Sequence, residues 1–336
     1  MVRVEPRSDG DGGMGAVTRR RMLALGGAAA LPSARRGAAQ DGPVTIIVPF
    51  TPGTGMDILA RLAAPALQEA LGQPVVVENR PGASGNIGTQ AVARAAPDGR
   101  TLMLTANTFV MNPRLFRQVP YDPVAGFTPI IHLTDGELVF AVHPAVPAMT
   151  LRDLAALAAR ETVNYASPGI GTPQHLAMEL FRLEIPGRPA MNHVPYRGSA
   201  PAVQDLLAGR VAAMVLPLHT ALPLAADGRV RLLAIGSPAR SPTAPAVPTT
   251  AEADSPGVVV NLWYGLFGPA GLPSALVARL NAALRAWLAR PATRQQLQAQ
   301  GMAPAADTSS TALAAMVARD AARWAGVIEA AGITAD

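Results

Sequence analysis

Apolar and polar positions along this chain fall into repeating blocks: a short apolar run, a glycine-rich polar loop, then a stretch with helical spacing. The first block reads as a strand over 45–48, the loop Pro49-Phe-Thr-Pro-Gly-Thr-Gly55 and a helix over 58–70. The second is a strand over 75–77, a loop over 79–88 and a helix over 89–96. The third is a strand over 163–165, a loop over 167–173 and a helix over 175–183. Between and after these blocks, strands are predicted over 101–104, 138–142, 211–216, 231–235 and 263–267. Helices are predicted over 151–160, behind Thr150 as N-cap, and over 200–207, stopped by Gly209. Two more, over 274–288 and 311–330, close the chain. Residues 119–129 are turn-rich, and the Pro-, Ser- and Thr-rich stretch 236–257 reads as a long surface segment. Such βα alternation predicts mostly parallel sheets covered by helices.

A chain of 336 residues can bury two cores. The strand over 138–142 leads into a second lobe that repeats the alternation, and no repeat at solenoid spacing appears. The C-terminal helices find no home in that lobe, so they are expected to pack on the first. The chain then crosses twice. The expected division is residues 43–137 plus 262–336 for lobe one and 138–261 for lobe two, after an export signal over 1–39.

That signal is read from Thr18-Arg-Arg-Arg-Met-Leu23, an apolar small-residue run to Leu31, and Gly37-Ala-Ala39 as a cleavage point before Gln40. The adjacent arginines resemble a twin-arginine address, and a general secretory signal is the alternative. Either leads to the periplasm. The apolar run is shorter than the roughly 20 residues of a spanning helix. Met14 is a second candidate start.

Charged residues are only 15%, and all 28 basic residues are arginine, seven of them before residue 37. No basic face with interleaved aromatics emerges, so nucleic acid is not an expected partner. There is no cysteine, which removes disulfides, thiolate metal sites and thiol nucleophiles. The five histidines stand singly, without metal-ligand spacing, so no metal and no cofactor is expected.

A helix N-terminus offers unpaired N–H groups and partial positive charge, and glycine lets a ligand approach that backbone. Three glycine loops opening helices therefore suit a small anion, a carboxylate, and Thr51, Thr54, Ser84, Asn86, Ser167 and Thr172 add hydroxyl or amide groups. Dinucleotide and phosphate-loop fingerprints, a nucleophile elbow and H-E-x-x-H are all absent. His175, at a helix start, is open to ligand contact or to packing. Asp57 fits a first-turn carboxylate that complements the helix dipole better than a contact with an anion. Arg197 is either a bidentate fork for a carboxylate or a solvated loop residue. No catalytic set is assigned.

At these loops the sequence resembles the Bug family, the extracytoplasmic solute receptors of tripartite tricarboxylate transporters. The segments are Ile47-Val-Pro-Phe-Thr-Pro-Gly-Thr-Gly-Met-Asp57, Val77-Glu-Asn-Arg-Pro-Gly-Ala-Ser-Gly-Asn-Ile-Gly88 and Pro97-Asp-Gly-Arg-Thr-Leu102. Asn164-Tyr-Ala-Ser-Pro-Gly-Ile-Gly-Thr172, His193-Val-Pro-Tyr-Arg-Gly-Ser-Ala-Pro201 and Trp263-Tyr-Gly-Leu-Phe-Gly-Pro-Ala-Gly271 continue it. The resemblance implies an α/β, two-lobed periplasmic-binding-protein fold of the type II-like Venus flytrap kind. Each lobe would be a mixed, mostly parallel sheet flanked by helices. It also implies a monomer that closes on a small carboxylate and hands it to membrane permease subunits. By position, one carboxylate falls to Phe50, Thr51, Gly53, Thr54 and Met56 with Ser84, Gly85 and Asn86, through amides, hydroxyls and water. Ser167, Gly169 and Thr172 would close from the other lobe, with Thr108, His175 and Arg197 nearby. Thr54, Met56, Ser84 and Ala212 depart from the family's pattern, and Met56 in place of a hydroxyl points to a less polar pocket.

Two other functions remain on the sequence alone. One is a secreted α/β enzyme acting on a carboxylate through His175 and Asp57 or Asp205. The other is a receptor that reports its ligand to a signalling partner.

Overall fold

The computed structural model describes residues 42–260 and 262–335, so the expected export signal lies outside the described residues. The first block forms β1 (Val44–Val48) and α1 (Gly55–Leu71). The helix starts three residues before the predicted position because Thr54 caps it, and Gly55 is its first residue rather than loop. Gly72, in the left-handed region at φ 69°, ends it. The second block forms β2 (Val75–Asn79), a single 3-10 turn at Ala83–Gly85 and α2 (Asn86–Ala93), again three residues early. β3 (Thr101–Ala106) follows, then α3 (Thr108–Leu115) and β4 (Phe127–Gly136), neither of which the sequence pattern predicts.

Beyond Glu137 the chain enters a second sheet through β5 (Leu138–Val142). α4 (Leu151–Ala158) begins at Thr150 with a full capping box, Thr150 and Asp153 bonding each other's backbone N–H. β6 (Val163–Ser167), α5 (Pro173–Glu184), β7 (Met191–Pro195), α6 (Ser199–Leu207), β8 (Ala213–Pro217), α7 (Leu218–Ala226) and β9 (Arg231–Ile235) complete this part. The segment after β9 carries only an isolated bridge, Ile235 to Thr249, and it buries Ser241, Thr250 and Val258. The chain returns through β10 (Leu262–Pro269), then α8 (Ser274–Ala289), α9 (Pro291–Ala299), β11 (Met302–Pro304) and α10 (Ser310–Ala331).

The first sheet runs β2-β1-β3-β10-β4-β11 and the second β7-β6-β8-β5-β9. The two share one plan. Three parallel strands stand in the order second, first, third, and an antiparallel strand from the other end of a crossing inserts beside the third. Both sheets are mixed, as the resemblance implies, but the mostly parallel pairing that both the alternation and the resemblance imply is more than they have. β10 pairs antiparallel with both β3 and β4, and β5 with both β8 and β9, so antiparallel pairings are at least as many as parallel ones in each sheet.

The C-terminal helices pack on the first sheet's elements, α8 on α1 and β4, and α10 on α3 and β4. Phe109 sits edge-on to Phe267 at 5.1 Å and to Phe127 at 5.6 Å, beside the fully buried Trp263. Burying large rings of this kind contributes about 1.5–3 kcal/mol each. The Trp263 indole N–H donates to Asp320 on α10 at 2.6 Å, so this burial leaves its polar edge satisfied.

Candidate ligand-binding cleft

Parallel strands deliver their C-terminal ends to one side of a sheet, and both sheets aim those ends at the same place. A cavity of about 50 Å³ lies between them. It is lined by the first turns of five helices: Gly55 and Met56 of α1, Thr108 of α3, Pro173 and Gln174 of α5, Ser199 of α6, and His219 and Thr220 of α7. Phe50, Pro168, Leu262 and Tyr264 close it, and no charged side chain lines it. A wider groove of about 700 Å³ adjoins it, with Phe50 and Pro168 in the walls of both. Thr51, Ser84, Gly85, Gly169 and the exposed Arg197 line that groove.

The loops that form these walls are held by their own polar groups. Asp57 accepts from the Gly53 N–H at 3.0 Å and from Arg61, folding the loop back over the helix start. Burial alone would raise this carboxyl, but those hydrogen bonds outweigh it and hold it below the ordinary carboxylate range. Asp57 is thus committed to the loop. The turn from Gly82 to Gly85 has four successive positive φ angles, 130°, 46°, 51° and 90°. Ala83 and Ser84 are strained there, and the turn is braced from behind. Asn112 donates to the Ser84 carbonyl at 2.9 Å and to Asn86 Oδ1 at 2.7 Å, and the Tyr121 hydroxyl donates to the same Asn86 oxygen at 2.8 Å.

Facing loops from the two sheets touch. The Ser84 hydroxyl donates to the Ile170 carbonyl at 2.8 Å. A methyl group on Gly198 would lie 2.9 Å from the Thr51 hydroxyl, and one on Gly171 would collide with Leu115.

The predicted residues divide accordingly. Phe50, Gly53, Thr54, Met56, Thr108 and Thr172 line the inner cavity, and Thr51, Ser84, Gly85, Gly169 and Arg197 the outer groove. Asn86, Ser167 and His175 line neither. Asn86 belongs to the brace. Ser167 is fully buried, with its hydroxyl 2.6 Å from His193 Nε2 and bonded to Gly169. His175 accepts from the Gly171 N–H at 3.0 Å and stacks on His193 with centroids 3.7 Å apart. Burial holds both imidazoles neutral, His175 down to about 4 and His193 to about 3, Arg182 adding to the first and His175 to the second. These rings support the loop over 167–172 from inside the second sheet.

The enzymatic alternative needs His175 beside Asp57 or Asp205. The structure keeps them apart: Asp57 serves Gly53 and Arg61, and Asp205 accepts from Tyr196 and Arg210. Gln174, His219 and Tyr264 line the cavity without having been expected there. Tyr264 lies inside a segment that carries the family resemblance, and Gln174 directly follows Pro173 at a helix start. His219 carries no signal, because its helix follows β8 with no glycine loop.

Residues 59–333 match the model of the tripartite tricarboxylate transporter family receptor. The chain belongs to this receptor family. Its relative BugT of Bordetella pertussis is 37% identical over 86% of this chain and 89% of BugT. The periplasmic binding protein BugD superposes with a TM-score of 0.80 at 32% identity, over 87% of this chain and 98% of BugD. MatC of Rhodopseudomonas palustris, solved with bound malate, gives a TM-score of 0.80 at 33% identity, over 85% of this chain and 98% of MatC. The two mixed sheets of this receptor are the two lobes of the periplasmic-binding-protein fold. No helix among its described residues is long and apolar enough to cross a membrane.

Proposed function

We propose that this receptor works in the periplasm as a monomer, binds a small carboxylate between its lobes, and delivers it to membrane permease subunits. The observation that carries the reading is the convergence of five helix N-termini from both lobes on one cavity without a charged side chain. Each N-terminus acts as roughly half a positive charge and favours an anion by about 0.3–1 kcal/mol, more when partly buried. Five together suit a carboxylate, and the malate in MatC is one.

In this reading Gly53, Thr54, Met56, Thr108 and Thr172 contact the ligand in the inner cavity, with Phe50 as its wall. Thr51, Ser84, Gly85 and Gly169 close over it, and Arg197 stands at the mouth, where an exposed cation draws anions in. Asn86, Ser167 and His175 hold those loops in shape. The lobes divide as residues 43–137 with 262–336 and residues 138–261, and the hinge lies at the two crossings. Export uses residues 1–39 as a twin-arginine signal. The protein binds without turning over its ligand: the close Ser167–His193 pair has its serine fully buried, and the nearby Glu179 carboxylate is taken up by Tyr165 and Arg182.

A thermal-shift screen of the mature protein against a carboxylate library tests this. A ligand that binds only the native state raises Tm by an amount that grows with concentration. A folded protein that responds to no carboxylate overturns the reading.

A further inference from the structure

Two buried polar side chains face the inner cavity without a protein partner among the described residues. Tyr264 is 3% exposed and Gln174 8%, and neither has a hydrogen-bond partner among the described residues. They come from opposite lobes, Tyr264 from β10 and Gln174 from the first turn of α5. The His219 imidazole, from α7, lines the same cavity and also has no partner among the described residues. Buried polar groups are normally paired. Two such groups, with a half-buried imidazole beside them, point to a group that arrives from outside.

We propose that Tyr264 and Gln174, with His219, form a second subsite that recognises a hydroxyl next to the ligand's carboxylate, so that the ligand class is small 2-hydroxy acids. This rests on the carboxylate reading above and names its substrate. The three side chains share one property: each can both donate and accept. An amide presents N–H₂ and a carbonyl, a phenol a hydroxyl, and a neutral imidazole one bare nitrogen and one N–H. Burial alone lowers His219 to about 4, so its ring is neutral at ordinary pH. A hydroxyl answers donors and acceptors alike. The hydroxyl's one proton meets either the Gln174 carbonyl or the bare nitrogen of His219, whereas a second carboxylate only accepts and would meet neither. Size agrees: about 50 Å³ holds roughly four water-sized groups, which suits a short acid. Position fixes the spacing. A methyl group on Gly55 would collide with the Tyr264 hydroxyl, so that hydroxyl overhangs the first residue of α1, where the carboxylate binds.

Titration calorimetry with matched pairs tests this: lactate against propionate, and malate against succinate. The wild-type protein is expected to bind the hydroxylated member of at least one pair about tenfold or more tighter, because a site built for a hydroxyl rejects its absence. Tyr264→Phe and Gln174→Leu should each shrink that ratio to about threefold or less, while the ligand-free Tm holds or rises, since each removes an unpaired buried group. His219→Asn provides a third variant with a smaller amide. Equal wild-type affinity for both members of each pair overturns the proposal. So does a preference that survives all three substitutions, or a ligand-free Tm that falls in Tyr264→Phe, which would mean that the hydroxyl serves the fold. If none of the four acids binds but another carboxylate shifts Tm, this inference fails and the receptor reading stands. If no carboxylate binds, both fail.

Discussion

Ser84 and Ile170 are joined by a 2.8 Å hydrogen bond from hydroxyl to carbonyl, linking a loop of the first sheet to a loop of the second. Because the two loops belong to different lobes, the bond forms only when the lobes meet. It contributes about 0.5–1.5 kcal/mol to the closed form. Ser84→Ala should therefore enlarge the ligand-free radius of gyration measured by small-angle scattering, with Tm unchanged. Affinity for the best carboxylate in the thermal screen should fall about three- to tenfold. An unchanged scattering curve and affinity would remove Ser84 from closure.

Gly85 has φ 90°, and the first carbon of a side chain there would lie 2.9 Å from the Phe50 ring. Gly85→Val is expected to cost about 1–3 kcal/mol of stability through backbone strain. It should also abolish carboxylate binding by pushing Phe50 into the inner cavity. Calorimetry on the folded variant decides this, and retained affinity would make the turn purely structural.

The stacked His175 and His193 give stability a sign with pH. Both are neutral in the folded protein and accept protons near pH 6.5 when unfolded. The unfolded state therefore binds more protons as pH falls below about 6.5, and stability declines from there toward pH 4. The loss due to His175 alone is on the order of 2–3 kcal/mol by pH 4. Urea denaturation at pH 7.5 and 4.5 should show this decline, and His175→Gln should flatten it. A slope identical in that variant would assign the pH dependence elsewhere.

Asp320 accepts the hydrogen bond of the Trp263 indole. Removing it leaves a buried N–H unpaired, so Asp320→Ala should cost about 1–3 kcal/mol in urea unfolding. Asp320→Asn should cost less, because its amide oxygen still accepts. Carboxylate affinity should be untouched, since neither residue lines the cavity.

Replacing Arg19 and Arg20 by lysine should leave precursor in the cytoplasm, read by fractionation and immunoblotting. Normal processing of that double variant would assign export to the general secretory route.

Elements with a clean start and stop are legible in the sequence. β5 and β9 occupy their predicted residues, and α4 begins where Thr150 caps it. Misplaced starts share a cause: Gly55 and the Asn86–Gly88 stretch read as loop, yet glycine is tolerated in a first turn that abuts other chain segments. α3 and α7 are hidden by their internal prolines, Pro113 and Pro223, and β4 by the turn-rich stretch and Pro129. The glycine loops lead to the walls of the cavity and groove. They cannot point to Tyr264 or His219, which reach the cavity only because two sheets bring distant strands together.

The strand exchange between the sheets has a consequence for how the chain acquires its structure. Tyr264 pairs with Ala106 across everything that forms the second sheet, so the first sheet stays split until β10 has been made. β5, by contrast, finds β8 and β9 within its own half. Pairings between distant segments are slow because the intervening chain must be closed into a loop first. The second half can therefore organise early and act as the bridge that draws the two parts of the first together. During synthesis, β1 to β4 must wait with an open edge at β3. Truncation before Leu262 is expected to leave that edge exposed to aggregation, whereas the segment containing β5 to β9 retains every strand of its sheet.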